Sequence, residues 1–535
     1  MKAWMTTTAT IYLALLVAAP LGGVDAAAQE ACDRPQELDR YRLLRRMSLD
    51  LRQTLPSLDE YRLLDDQDGI GDQAVDQLLA SDGFAQAARR FHADLLWPGF
   101  DAAIADGPII LSPAANQGAM SDVLAIRAAS RRQTWRGQAI VCGNFEQTDF
   151  DADGRPIWVD TEIEGEPARV DGWVEVEAYW GETVKICAFD AMAHAAGVDS
   201  ACDVRTALFD PGCGCGPELR HCYGPEVVRQ VAQSVIEQMY RAIDEHTTGD
   251  RPYSELLTTS GVWMSGPLYH WKAHLAKMVG INRTLNSQSP GDAPLSQARP
   301  YTDDTWTRAE RTGAHAGIAT LAAYTLRFQT NRGRANRLRI AYTDQYFVPP
   351  SGADIGECDP SSGDLTKRCT CRHCHQVLEP LAAHFAPVLE AGSSMLDTSL
   401  LSIYQPACDP TVGNENVPNF CSRFYVTDPD ADNPGTLYGW QYAGGEDPLH
   451  QAIAANIEAG PGGWTQALID SGQMHQSTVV HLWRWLMGRE PVMNPLASDN
   501  EIMLLAELAA EFRQNDDFRA IVKRLVQLDT YRRVR

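Results

Sequence analysis

The most specific chemistry in this 535-residue chain lies in five consecutive residues, Cys371-Arg372-His373-Cys374-His375. Two cysteines three positions apart, followed at once by a histidine, spell the C-x-x-C-H signature of a c-type haem. Each thiol can reach one vinyl group of a single porphyrin, and His375 then offers its imidazole to the iron as an axial ligand. A zinc reading uses nearly the same atoms. Cys369, Cys371 and Cys374 with His373 or His375 make a three-cysteine, one-histidine set for a tetrahedral ion.

If haem c is the cofactor, the sixth iron position needs an occupant. His384 lies nine residues after His375 and, on a continuing helix, faces away from it. Met395 is the nearest thioether and ranks first, with Met474 and Met487 further on. A methionine would raise the potential, a second histidine would lower it, and an open position would admit ligand chemistry. The run from Asn331 to Arg339 holds Arg332, Arg334, Arg337 and Arg339 in a chain whose net charge is −24. Arg334 and Arg337 are candidates for haem propionate contacts, and the run also suits an acidic redox partner. The plain alternative is a solvated or salt-bridged helix start.

Two further clusters invite a metal. Asp149, Asp151 and Asp153 alternate before Gly154, with Asp160 at the twelfth position, as in a calcium-binding loop. Strand-like neighbours, Pro156 within the loop and aspartate in place of the usual glutamate favour an Asp-rich turn with Gly154 at positive φ. His270 and His274 are spaced for one helix face, but no H-E-x-x-H follows, so partly buried structural histidines are the simpler reading. No G-x-S-x-G nucleophile elbow and no phosphate loop occur, which leaves hydrolase and nucleotide-binding readings without support.

The compartment changes how the cysteines read. Lys2, an apolar run from Ala9 to Leu21 and small residues up to Ala26 and Ala28 resemble a secretory signal over residues 1–28. That run is too short to span a membrane, no later one is long enough, and no lipobox precedes Cys32. An exported protein, periplasmic or extracellular, is expected to oxidise the eleven cysteines outside the haem motif. Proximity pairs Cys358 with Cys369 and Cys408 with Cys421. The strongly acidic balance argues against a nucleic-acid partner.

The elements that must position the motif are mostly helical. Leu38, Tyr41, Leu44, Met47 and Leu51 recur at three and four residues; Val75, Leu78 and Leu79 do likewise, as do Phe84, Ala88, Phe91 and Leu95. Val228, Val231, Val235, Met239 and Ala242 line a longer helix. The tail repeats the pattern at Val479, Val480, Trp483 and Leu486 and again at Phe518, Ile521, Val522 and Leu525. Between them, Trp173 to Trp180 alternates apolar and charged residues as a strand does. The expected class is mainly α and multi-helical, with a cytochrome c-like haem-binding segment and a disulfide-rich β insertion. The expected division is an N-terminal helical domain at 29–136, the β insertion at 137–224, a central helical domain at 225–345, the haem segment with a long loop at 346–450 and a C-terminal helical domain at 451–535.

Several stretches together resemble a known family. Arg45-Arg46-Met47-Ser48-Leu49-Asp50-Leu51, Leu55 to Tyr61 and Val75 to Ser81 with Phe84 are similar to a helical module of secreted proteins related to the planctomycete cytochrome C modules. Arg311-Thr312-Gly313 with Gly317-Ile318, the arginine run, C-x-x-C-H continuing into Leu378-Glu379-Pro380, and Arg484 to Glu490 resemble the C-terminal module of the same family. The β insertion departs from that pattern, as does the lack of a second C-x-x-C-H. The resemblance implies haem attached at Cys371 and Cys374 with His375 on the iron, in an exported protein that exchanges electrons with a periplasmic or extracellular redox partner. Two other readings stay open: a haem-dependent oxidoreductase with its active site in the helical domains, and a secreted protein that binds an extracellular polymer or partner and carries a secondary haem or zinc site.

Overall fold

The computed structural model describes residues 36–534 with breaks, the longer of which are 100–108, 114–121, 127–133, 193–213, 279–298, 349–357, 394–403 and 437–455. The expected signal segment at 1–28 and Met395 lie outside the described residues. Four N-terminal helices come first: α1 (Arg40–Arg52), α2 (Leu58–Leu63), α3 (Asp72–Leu79) and α4 (Asp82–Leu96). Their starts follow from local chemistry. The Asp39 side chain accepts from the amides of Tyr41 and Arg42, and Ser57 with Glu60 forms a reciprocal capping box on α2. The buried stripe of α1 is turned slightly from the expected one: it takes in Leu43, while Tyr41 stays at the surface with its hydroxyl on Asp65.

The central and C-terminal parts add α5 (Pro225–Thr247), α6 (Gly266–Met278), α7 (Asn331–Thr343), α8 (Arg372–Ala383), α9 (Pro461–Asp470), α10 (Gln473–Met487), α11 (Ile502–Asn515) and α12 (Phe518–Val526). The three helical blocks do not keep separate cores. One apolar cluster runs from Leu43, Met47 and Phe84 through Val235, Met239 and Leu338 to Trp483, Phe512 and Val522, and it includes Phe385 and Val388 just after the haem motif. The two ends of the described chain are joined as well. Gln36–Glu37 pairs antiparallel with Arg533–Val534, and the Arg46 guanidinium donates to the carbonyls of Tyr531 and Leu486 at 2.7 and 3.1 Å.

The β region is a five-stranded sheet in the order Cys222–Tyr223, Ile109–Pro113, Leu124–Ile126, Thr183–Cys187, Trp173–Glu177. It therefore recruits two strands from upstream of residue 137, where helix was expected. Val174 and Ile186 belong to a small second core stapled by Cys215–Cys222, and Cys142–Cys187 staples a further cluster with Val123 and Ala125. A second departure is the hairpin of Gly261–Met264 with Thr307–Glu310, inside the segment read as the central helical domain.

Arg311 and Gly317, both part of the resemblance, serve this framework. Buried Arg311 donates to the Gly317 carbonyl and the Thr320 hydroxyl. Gly317 sits at φ +44° where an added Cβ would lie 2.0 Å from the Leu256 carbonyl oxygen, so only glycine fits without a backbone shift.

Buried neutral histidines make the fold sensitive to acid. His92 is fully enclosed; its Nδ1–H donates to the Ala88 carbonyl at 2.8 Å, and its Nε2 lies 3.0 Å from the Tyr253 hydroxyl, which serves as donor. Burial pulls its pKa from 6.5 down to about 4, with the Ala88 bond opposing. The unfolded chain thus binds the extra proton first, and stability present above pH 6.5 is lost as pH falls toward 4. The shift corresponds to about 3 kcal/mol from this one group. Urea unfolding between pH 7 and 4 is expected to show that decline, and His92→Gln to flatten it; an unaltered slope in the variant would assign the effect elsewhere.

Candidate haem-attachment site

The C-x-x-C-H residues open α8. Cys371 is its N-cap residue, and the amides of Cys374 and His375 donate to the Cys371 carbonyl at 3.2 and 3.1 Å. The three-residue spacing puts both sulfurs on one side of the first turn. Cys371 and Cys374 are both partly exposed and outside any disulfide, whereas the other described cysteines are paired. Cys369 is bonded to Cys358 and Cys408 to Cys421, as their proximity suggested. The first bond takes Cys369 out of the zinc set. Among the described residues no group of three or more His, Cys, Asp or Glu converges closely enough to hold a metal ion.

His375 has a defined setting. Its Nδ1 lies 2.5 Å from Oε1 of Glu379, one helical turn on, and the same oxygen accepts from Arg332 Nε at 2.6 Å. A carboxylate bound by a guanidinium has only acceptors to offer, so Nδ1 is the donor in this bond, and in the neutral ring Nε2 is the nitrogen that carries the lone pair. The Glu379 side chain is 11% exposed and that of His375 19%, which keeps bulk water largely away from this bond.

α7 is the platform beneath α8, and its four arginines divide the work. Arg332 makes the ion pair with Glu379. Arg334 is fully buried and donates to Asn331 Oδ1 and to the carbonyls of Val388 and Thr325 at 2.9, 3.1 and 3.0 Å. Arg337 donates to the Asp94 carbonyl at 2.6 Å and stacks over the Trp97 ring at 3.9 Å. The two arginines expected at propionates are therefore engaged in tying α7 to the loop after α8 and to the end of α4. Arg339 is different. It is buried, stacks on Phe347, and among the described residues its Nε and Nη1 have no hydrogen-bond partners. Burial lowers its pKa, and the Cys374 sulfur is near enough to oppose that shift. An enclosed guanidinium with idle donors is costly unless an anion meets it. A haem carboxylate has the right chemistry, so the side chains around α8 fit the group.

The other candidates fall elsewhere. Met474 is completely buried in the helical core and Met487 packs against it, while His384 Nε2 is 2.7 Å from Asn456 Oδ1 beside Trp464. His270 packs against the rings of Tyr179 and Tyr301, and burial lowers its pKa to about 4; the His274 side chain lies outside the described residues. The aspartate loop is a tight turn. Asp151 Oδ1 accepts from the amides of Asp153 and Arg155, Asp149 Oδ1 caps the Phe150 amide, and Gly154 takes φ +72°. Asp160 stands on the following strand, paired with Arg169 at 3.0 Å. The carboxylates of Asp149, Asp151 and Asp160 are thus spent separately, and among the described residues no such group surrounds one point. The sequence places Glu379 in the motif's continuation and Arg339 in the arginine run, but assigns neither a contact of its own at the site. The first was accessible from its i,i+4 spacing to His375; the second had no local signal.

Comparison of the chain with protein-family models, with curated proteins and with solved structures gave no match. Among the described residues no helix is long and apolar enough to cross a membrane.

Proposed function

We propose that the chain is an exported, c-type cytochrome-like protein that carries one haem on α8 and passes electrons to or from a periplasmic or extracellular partner. One observation carries this reading: Cys371 and Cys374, neither of them in a disulfide, share the first turn of α8 with a histidine whose Nδ1 is held and whose Nε2 is left for a metal. That no three such side chains among the described residues converge on one point suits a porphyrin, whose vinyl edge and iron are separate, better than a single ion. Bound there, a haem supplies a one-electron iron couple. The protein's part is to anchor it by two thioethers, orient the axial imidazole through Glu379, and present Arg339 to a carboxylate. α7 supports all three from below.

The test is direct. Protein produced with a cytochrome c maturation system is expected to show a c-type pyridine haemochrome band at one haem per chain. A purified, folded protein with no such band, or with zinc at one equivalent, would overturn the proposal.

A further inference from the structure

We propose that Glu379 is a positioning residue that sets the reduction potential of the iron through His375, with Arg332 as its partial counter-charge. This rests on the haem reading above. The geometry is a relay of three side chains on two helices. Arg332, near the start of α7, holds Glu379 Oε1 at 2.6 Å, and that oxygen accepts the Nδ1 proton of His375 at 2.5 Å. The second nitrogen of a metal-bound imidazole commonly donates to a carboxylate, a backbone carbonyl or water, and the partner fixes the ring and raises its basicity. A carboxylate does this more strongly than a carbonyl because it carries a full charge.

Burial decides how much of that charge the iron would feel. The Glu379 side chain is 11% exposed and that of Arg332 47%. Solvent therefore screens the guanidinium more than the carboxylate, and the pair leaves net negative character behind His375. Taking up one electron lowers the charge on the iron by one. Negative charge behind the ligand opposes that step and favours the oxidised form.

Glu379→Gln keeps the length and an acceptor oxygen but removes the charge. In a redox titration of haem-loaded protein, with dithionite as the one-electron donor, the reduced-to-oxidised ratio at fixed ambient potential is expected to rise about tenfold. That is about 59 mV for a one-electron couple. Arg332→Gln, at a half-exposed position, is expected to shift the ratio about threefold the opposite way. Both variants are expected to keep the c-type haemochrome band. Opposite signs support the relay, and the Arg332 variant alone does so if the Glu379 variant fails to fold. A ratio within twofold of wild type in loaded Glu379→Gln, or shifts of the same sign in both, would overturn it and leave the haem reading standing. Wild-type protein without a haem band would overturn both.

Discussion

Replacing Cys371 and Cys374 together by alanine is expected to abolish covalent haem, so that neither a haem-stained denaturing gel nor a pyridine haemochrome spectrum shows a c-type band. Attachment adds each thiol across a vinyl double bond: sulfur bonds to one carbon, and hydrogen goes to the other. Alanine at both positions removes every sulfur able to do this on α8, because Cys369 is already bonded to Cys358. Single variants are expected to retain one thioether and one intact vinyl group, giving a band displaced to longer wavelength. The fold is expected to tolerate the change. Both thiols are partly exposed and neither belongs to the apolar core, so far-ultraviolet dichroism and the urea midpoint of the unloaded protein should match wild type. A double variant that still held haem through a denaturing gel would refute attachment here.

Arg334→Met is expected to cost about 4 kcal/mol of stability, in protein without haem as well as with it. The substitution keeps an unbranched apolar stem but removes donors to three acceptors, two of them the carbonyls of Thr325 and Val388. Left buried and unpaired, each such acceptor costs roughly 1–3 kcal/mol, while removing the desolvation of a buried guanidinium offsets part of the loss. The measurement is the urea midpoint and slope of the unloaded variant. An arginine serving mainly as a propionate contact would behave otherwise: its loss would spare the unloaded protein and weaken only the loaded one. That contrast separates Arg334 from Arg339, whose Nε and Nη1 have no hydrogen-bond partner among the described residues.

Much of this molecule is legible locally. The helices at Arg40–Arg52, Asp82–Leu96, Pro225–Thr247 and Gln473–Met487 fall where apolar residues recur at three and four, since that spacing is a property of one helix. The pairing of Cys358 with Cys369 and of Cys408 with Cys421 followed from short separations, which leave little loop to close. The sheet was only partly legible. Trp173–Glu177 alternates as strands do, but Ile109–Pro113 and Leu124–Ile126 are short, and they find their places beside strands that arrive much later in the chain.

What the residues decided by themselves is the chemistry on offer: two thiols and an imidazole in one short helix, a helical majority, and an acidic chain with many cysteines to oxidise. Only the tertiary structure decided how that chemistry is set. It joined three expected helical domains into one core, turned the aspartate loop into a capped turn, and gave four neighbouring arginines four different tasks. The reason is physical. A guanidinium's role depends on which acceptor it meets, and here the acceptors are the carbonyls of Asp94, Thr325 and Val388 and the carboxylate of Glu379, brought to α7 by packing from distant parts of the chain.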